Sequence, residues 1–260
     1  IKCTHNHGTP VDMEEGIEQS CNPYFWALFR DMLQRDGYAD ENILFKQHYT
    51  DWRNDILSFG LGQRFEDADI SEQAAGYVPT VELYNKIYGT KGWKAITIRS
   101  LSIGQGEVLV TPLQLANQAA AIANKGYYIT PHLNRNDSMK SRIHSTLIDS
   151  IYFDIVQTGM ERVMTNGTGR WYNVQDLQMC GKTGTVENVH GKDHALFIGF
   201  APKDNPQIAI AVAVENAGFG ATWACPVGSL IMEQYLTGEI KRKSLYDRIV
   251  NANLIAQDNE

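Results

Sequence analysis

Lys182-Thr183-Gly184-Thr185, entered from Gly181, is the stretch of this 260-residue chain whose residue types best fit a chemical task. Acyl transfer at the carboxyl end of a peptide needs a cation near the terminal carboxylate and hydroxyls to hold it. It also needs N–H donors for the developing oxyanion. A strand can lie alongside an extended substrate and pair with its backbone. Lys182 supplies the cation, and Thr183 and Thr185 supply hydroxyls. Gly184 leaves room where a side chain would strike the reacting centre. The same string also fits a plain strand in which Gly181 and Gly184 mark bulges.

Two further groups carry chemistry-bearing types. Ser20-Cys21-Asn22 falls in a break between two helices. There Ser20 can pass a proton to a leaving amine, and the Asn22 amide can bind a substrate carbonyl and a lysine. Asn22 is equally a sound helix N-cap and Ser20 equally a helix end. Cys3, His5, His7 and Cys21 are the ligand types zinc prefers. A metal there would pin the Ser-x-Asn turn to the preceding loop, because Cys21 is the middle residue of that turn. The spacing is not that of a zinc finger, and two other readings compete. One is a Cys3–Cys21 disulfide in an oxidising compartment; the other is unrelated loop residues.

The elements that must position these groups follow from capping and periodicity. Asp12 with Glu15 reads as a capping box for a short helix through Gln19. Asn22-Pro23 opens the next, with Phe25, Leu28, Phe29, Met32 and Leu33 as its apolar stripe and Gly37 as its stop. Thr111-Pro112 opens a helix running to Gly126, and a third spans Ile148 to Met164. Beyond Arg170 the pattern changes to compact apolar runs, Ala195–Phe200 and Ile208–Val214, separated by a Pro202–Pro206 turn. Trp223 to Leu236 reads as a helix. Helices followed by three strands and a helix predict an α+β chain with an antiparallel sheet and helices packed on it. The helical part is about 10–165, the sheet and terminal helix about 175–237, and the tail 238–260. Cys180 and Cys225 read as small buried hydrophobes.

Bulk properties exclude some classes. The net charge is −7 and no basic block occurs, which excludes nucleic acid as a partner. No apolar run reaches the ~18 residues of a membrane helix. Ile1-Lys2-Cys3 is neither a start methionine nor a signal peptide, so the chain is expected to begin mid-protein, with any membrane anchor outside it.

Taken together, Ser20-Cys21-Asn22 and the distant Lys182-Thr183-Gly184 resemble the transpeptidase domain of class B penicillin-binding proteins. Four more segments agree: Glu18–Phe25, Phe59-Gly60-Leu61-Gly62, Ser102–Gly106 with Val110–Ala116, and Asn166-Gly167-Thr168-Gly169. The likeness runs from about residue 10 to residue 237 and is closest to the elongation-type, penicillin-binding protein 2-like subgroup.

The resemblance implies a penicillin-binding protein/β-lactamase-like fold, with its sheet packed between helices. It implies a peptidoglycan D,D-transpeptidase that cross-links stem peptides, is acylated by β-lactam antibiotics and requires no cofactor. Its implied partners are the rod-shape elongation machinery and a glycosyltransferase, and its implied place is the periplasmic face of the inner membrane. Ser20, Asn22 and Lys182 would be catalytic; Thr183, Gly184 and Thr185 would bind substrate.

The family's nucleophile sits in a Ser-x-x-Lys motif, and no serine of this chain has lysine at the third position after it. That motif is therefore expected upstream of Ile1, with the N-terminal part of the domain missing and the chain alone inactive. A β-lactamase or β-lactam sensor of the same superfamily, and a non-catalytic cell-wall scaffold, are the competing readings. β-Lactam hydrolysis by the full-length protein would mark the former, and a protein that truly starts at Ile1 the latter.

Overall fold

The computed structural model describes residues 2–3, 6–10, 12–36, 41–66, 68–134 and 142–255. Its helices are α1 (Met13–Glu18), α2 (Asn22–Leu33), α3 (Glu41–Ser58), α4 (Val81–Tyr88), α5 (Pro112–Ala123), α6 (Phe153–Thr165), α7 (Ala224–Thr237) and α8 (Lys243–Val250). Its strands are β1 (Tyr127–Ile129), β2 (Ile143–Ser145), β3 (Cys180–Val186), β4 (His194–Ala201) and β5 (Ile208–Val214). The chain divides into two compact units. The first comprises 1–12 and 20–153, the second 13–19 and 154–260.

In the first unit the core is aromatic. Phe45, His48, Tyr49 and Trp52 recur at i, i+3, i+4 and i+7 along α3, and Tyr49 is fully buried. Its ring centroid lies 5.4 Å from that of Trp93 and 5.8 Å from that of Tyr84. Three polar handles in this cluster have partners. Tyr49 donates to the Pro79 carbonyl at 2.9 Å, Tyr84 to the Glu107 carboxylate at 2.9 Å, and Trp93 to the Asn85 amide oxygen at 3.0 Å. Helix α5 begins as the sequence indicates, with Thr111 and Gln114 forming a capping box. The buried Gln114 amide then donates to the Gln63 and Ala75 carbonyls at 2.7 and 2.9 Å.

One expectation is corrected here. Asn22 is not the N-cap of α2; Cys21 holds that position in extended backbone, and Pro23 sits in the first turn. The proposed stop at Gly37 lies outside the described residues.

In the second unit, α1 packs on α6. Gly159 leaves the space that Ile17 fills, since a Cβ there would lie 2.9 Å from the Ile17 side chain. Arg162 on α6 pairs with Glu14 on α1 at 2.7 Å. The expected third helix is α6 preceded by a short 3₁₀ turn at Ser150–Tyr152, capped by Asp149. The sheet is antiparallel in the order β3-β4-β5, with Lys182 opposite Ile198, Thr183 opposite Phe197 and Gly184 opposite Leu196. Helix α7 covers one face of it, and α8 follows within the segment the sequence showed only as a tail.

The Phe197 ring joins these parts. It is 1 % exposed and lies in a notch made by three glycines, Gly181 on β3, Gly199 on β4 and Gly228 on α7. A Cβ added to them would come within 2.5, 2.9 and 2.5 Å of the ring, respectively. Close-packed interiors do not absorb such an overlap without backbone movement. Gly228→Ala should therefore destabilise the chain by ~1–3 kcal/mol despite alanine's better helix propensity. Chemical denaturation measures this, and an unchanged or higher midpoint would contradict the notch.

Candidate active site

The residues of interest divide between the two units and are described within each. In the first unit, Ser20 closes the turn after α1 with φ of 53°, a left-handed conformation uncommon for serine. Asn22 is the first residue of α2, and its amide donates to the Lys2 carbonyl at 3.1 Å, tying the N-terminal segment to the helix. Cys3, His7 and Cys21 come together: their ligand atoms all lie within 4.8 Å of one another. The His7 Nε2 to Cys3 Sγ distance is 3.1 Å, and Cys3 and Cys21 Sγ atoms are 3.7 Å apart.

The chemistry of this cluster is legible from those distances. Both cysteines are free, and 3.7 Å is far beyond a ~2.05 Å disulfide bond, which overturns the disulfide reading. Two thiolates on one tetrahedral zinc, each ~2.3 Å from it, stand ~3.8 Å apart. Two sulfurs and an imidazole at this spacing fit a zinc ion. His5, the remaining expected ligand, lies outside the described residues.

In the second unit, β3 carries Lys182 to Thr185. Side chains alternate along a strand, so Lys182 and Gly184 face one way and Thr183 and Thr185 the other. Lys182 is half-buried, and its ammonium donates to the Thr183 carbonyl at 2.9 Å. Burial pushes its pKa down from the usual 10.5 to about 8. Strand β3 is at the sheet edge, since β4 alone pairs with it among the described residues. An edge of this kind can accept an extended peptide.

Two residues that the sequence reading did not assign hold the hydroxyls. Thr168 Oγ1 lies 2.7 Å from Thr183 Oγ1, and the Gly220 N–H donates to Thr185 Oγ1 at 3.2 Å. Gly220 must lack a side chain, because a Cβ there would lie 2.0 Å from the Gly184 carbonyl oxygen. The sequence signal for Thr168 was its place in the Asn166-Gly167-Thr168-Gly169 segment that resembles the family, which assigned it no role; Gly220 had none.

Other residues resolve into structural roles. Asn188 spends its amide on the Asn216 and Lys192 oxygens at 2.6 and 3.2 Å and accepts from the His190 N–H at 3.0 Å, so the hairpin tip after β3 is internally bonded. Cys180 and Cys225 are fully buried, and burial pushes both thiols up to about 12, which leaves them inert. Trp93 is core, whereas Trp171 is exposed beside Arg170. No helix among the described residues is long and apolar enough to cross a membrane.

Comparison with known proteins identifies the family and the fold. Residues 2–233 match the family described as the penicillin binding protein transpeptidase domain. A peptidoglycan D,D-transpeptidase MrdA from Acinetobacter baumannii is 33% identical over 243 residues, covering 84% of this chain and 33% of the relative. Its counterpart from Haemophilus influenzae is 28% identical over 271 residues, covering 93% of this chain and 38% of the relative. The chain thus spans between 33% and 38% of the length of these curated relatives. Among solved structures, Pseudomonas aeruginosa PBP2 in complex with WCK 5153 superposes with a TM-score of 0.71 at 32% identity, covering 90% of this chain and 50% of that one. The α+β fold of helices with an antiparallel sheet is that of these transpeptidase domains.

The buried setting of Lys182 has a measurable consequence. Its ammonium should lose its proton as pH rises through about 8, followed by the Cε chemical shift, rather than at the usual 10.5. Because the unfolded chain still binds that proton between the two values, Lys182 makes the folded state gain stability as pH rises across that window. A Cε titration midpoint above 10 would show a hydrated, exposed ammonium instead.

Proposed function

Because this chain belongs to the penicillin-binding protein transpeptidase family, we propose that it serves as the substrate-gripping part of a serine-type peptidoglycan D,D-transpeptidase. The observation that carries this reading is the Lys182–Thr185 edge strand. Its half-buried lysine has a pKa of about 8, and its hydroxyls are held by Thr168 and Gly220.

The nucleophile is a serine of a Ser-x-x-Lys motif lying outside residues 1–260. It attacks the carbonyl of the penultimate D-Ala of a stem peptide. The C–N bond to the terminal D-Ala breaks, and the leaving amine takes up the serine's proton along a path served by Ser20 and Lys182. An amine from a neighbouring stem then attacks the serine ester, forming the cross-link and restoring the serine. A lysine titrating near 8 can both hold and release a proton at neutral pH, as such a path requires. Asn22 positions the substrate amide. Thr183 and Thr185 grip the terminal carboxylate, and the Thr185 N–H is one of the two oxyanion donors. Gly184 keeps the strand open to the substrate.

β-Lactam antibiotics acylate the same serine. The rod-shape elongation machinery and a glycosyltransferase are the partners that the elongation-type resemblance supports. The corresponding location is the periplasmic face of the inner membrane, with an anchor outside these residues. At Cys3, His7 and Cys21 we infer a structural zinc with no part in the chemistry; it would fasten the turn that carries Ser20 and Asn22 to the N-terminal segment.

Mass spectrometry with benzylpenicillin tests the catalytic reading. The full-length protein should gain one covalent adduct and residues 1–260 alone none. Lys182→Ala in the full-length protein should slow acylation by ~10²-fold or more. An adduct on residues 1–260 alone would overturn the external nucleophile, and unchanged acylation by Lys182→Ala would remove the lysine from the proton path. Elemental analysis tests the zinc. About one zinc per chain is expected in protein purified without chelator, lost in Cys21→Ser. A metal-free wild-type protein would overturn the site.

A further inference from the structure

The family match ends at Glu233, yet the segment beyond it reaches back to the candidate site within the second unit. Glu233 on α7 is 2 % exposed, and its carboxylate accepts from Arg242 Nε at 2.9 Å and from the Lys241 N–H at 3.1 Å. The rest of the Arg242 fork points elsewhere. One terminal nitrogen donates to the Tyr172 carbonyl at 2.8 Å and the other to Ser229 Oγ at 2.8 Å. Ser229 itself donates to the same Tyr172 carbonyl and lies 3.5 Å from the Met179 sulfur, one residue before β3. Arg248 on α8 adds a second clasp, 5.8 Å from the Tyr172 ring centroid and 5.7 Å from that of Trp223.

Tyr172 ends the turn that begins at Gly167. Its N–H donates to the Gly169 carbonyl at 2.9 Å, and Gly167 and Gly169 donate to the Arg162 and Val163 carbonyls at 2.8 and 2.9 Å. The turn has no slack on its other side: a Cβ on Gly167 would lie 2.4 Å from the Glu18 carbonyl oxygen. Thr168, between those glycines, is the residue whose hydroxyl meets Thr183. For Thr183 to donate its proton to a carboxylate, it must accept from Thr168, so the placing of Thr168 decides how Thr183 presents itself.

We propose that Arg242 is a positioning residue for the Lys182–Thr185 strand, acting through the Tyr172 carbonyl and the Gly167–Tyr172 turn to hold Thr168 on Thr183. The proposal rests on the transpeptidase reading, in which Thr183 grips the substrate carboxylate. An arginine suits the place because its planar fork spreads donors over three nitrogens that reach a carboxylate, a carbonyl and a hydroxyl separately, whereas an ammonium concentrates its donors on one atom.

The test compares acylation of the full-length protein by benzylpenicillin and by its methyl ester, which lacks the carboxylate. Arg242→Lys keeps a cation beside Glu233 but loses the fork. It should reduce the second-order rate constant for the acid roughly tenfold, the size expected from one misdirected hydrogen bond to a charged group. The rate for the ester should stay within about twofold, since the chemistry itself is untouched. Thr168→Val, with Arg242 intact, should show the same preference for losing the acid. Equal losses for acid and ester in Arg242→Lys would show a merely structural latch and overturn the proposal. So would an unchanged acid rate in Thr168→Val, a result that stands even where Arg242→Lys fails to fold. A wild-type full-length protein that takes up neither compound would instead overturn the transpeptidase reading itself.

Discussion

Phe197 has no room to move, and the second unit is organised around that fact. Its ring reaches into a notch whose three walls are backbone, supplied by Gly181, Gly199 and Gly228. A ring against flexible side chains could slide; a ring against main chain cannot. Because Gly181 and Gly199 belong to paired strands and Gly228 to the covering helix, one side chain sets the spacing of β3, β4 and α7 together. Gly181 is also the residue before Lys182. The packing that stabilises the sheet is thus the packing that fixes the height of the candidate site's lysine and hydroxyls above it.

From that fixed strand the polar contacts extend outward in layers. Thr168 and Gly220 hold the Thr183 and Thr185 hydroxyls, and Arg242 and Ser229 hold the turn behind Thr168. Glu233 is the cost of this arrangement, a carboxylate taken almost wholly out of water. It is tolerated because its two oxygens receive a guanidinium and a backbone N–H. Buried ion pairs of this kind add little net stability over apolar packing, but they specify geometry. A site that must present two hydroxyls in a set direction gains from geometry more than from stability.

The sequence made the local features legible and lost the distal ones. Strands β3 to β5 and helices α2 and α5 were readable, because Thr111-Pro112 caps and uninterrupted apolar runs are local signals. Helix α3 was not, because its buried stripe is aromatic and broken by His48, whose ring pairs with the Leu33 carbonyl and Asp36 instead of packing as a hydrophobe. Helix α8 was hidden in a charged tail, since Arg242 and Arg248 look like surface residues until their partners are known. Asn22 suited an N-cap by type, yet the backbone gave that place to Cys21 and freed the Asn22 amide for Lys2.

By itself the sequence determined the chemistry available to this protein. It contained a lysine, two threonines and a glycine on one strand, a Ser-x-Asn turn, and cysteines and histidines near the start. These are properties of residue type and short spacing, which the covalent chain carries directly. Tertiary structure decided which of those groups have partners. It left the Cys3 and Cys21 sulfurs 3.7 Å apart and unbonded, moved Lys182 to a pKa of about 8, and placed Thr168, Gly220 and Arg242 behind the site. The reason is physical: desolvation and hydrogen-bond geometry depend on atoms far apart in sequence, and only folding brings those atoms within reach.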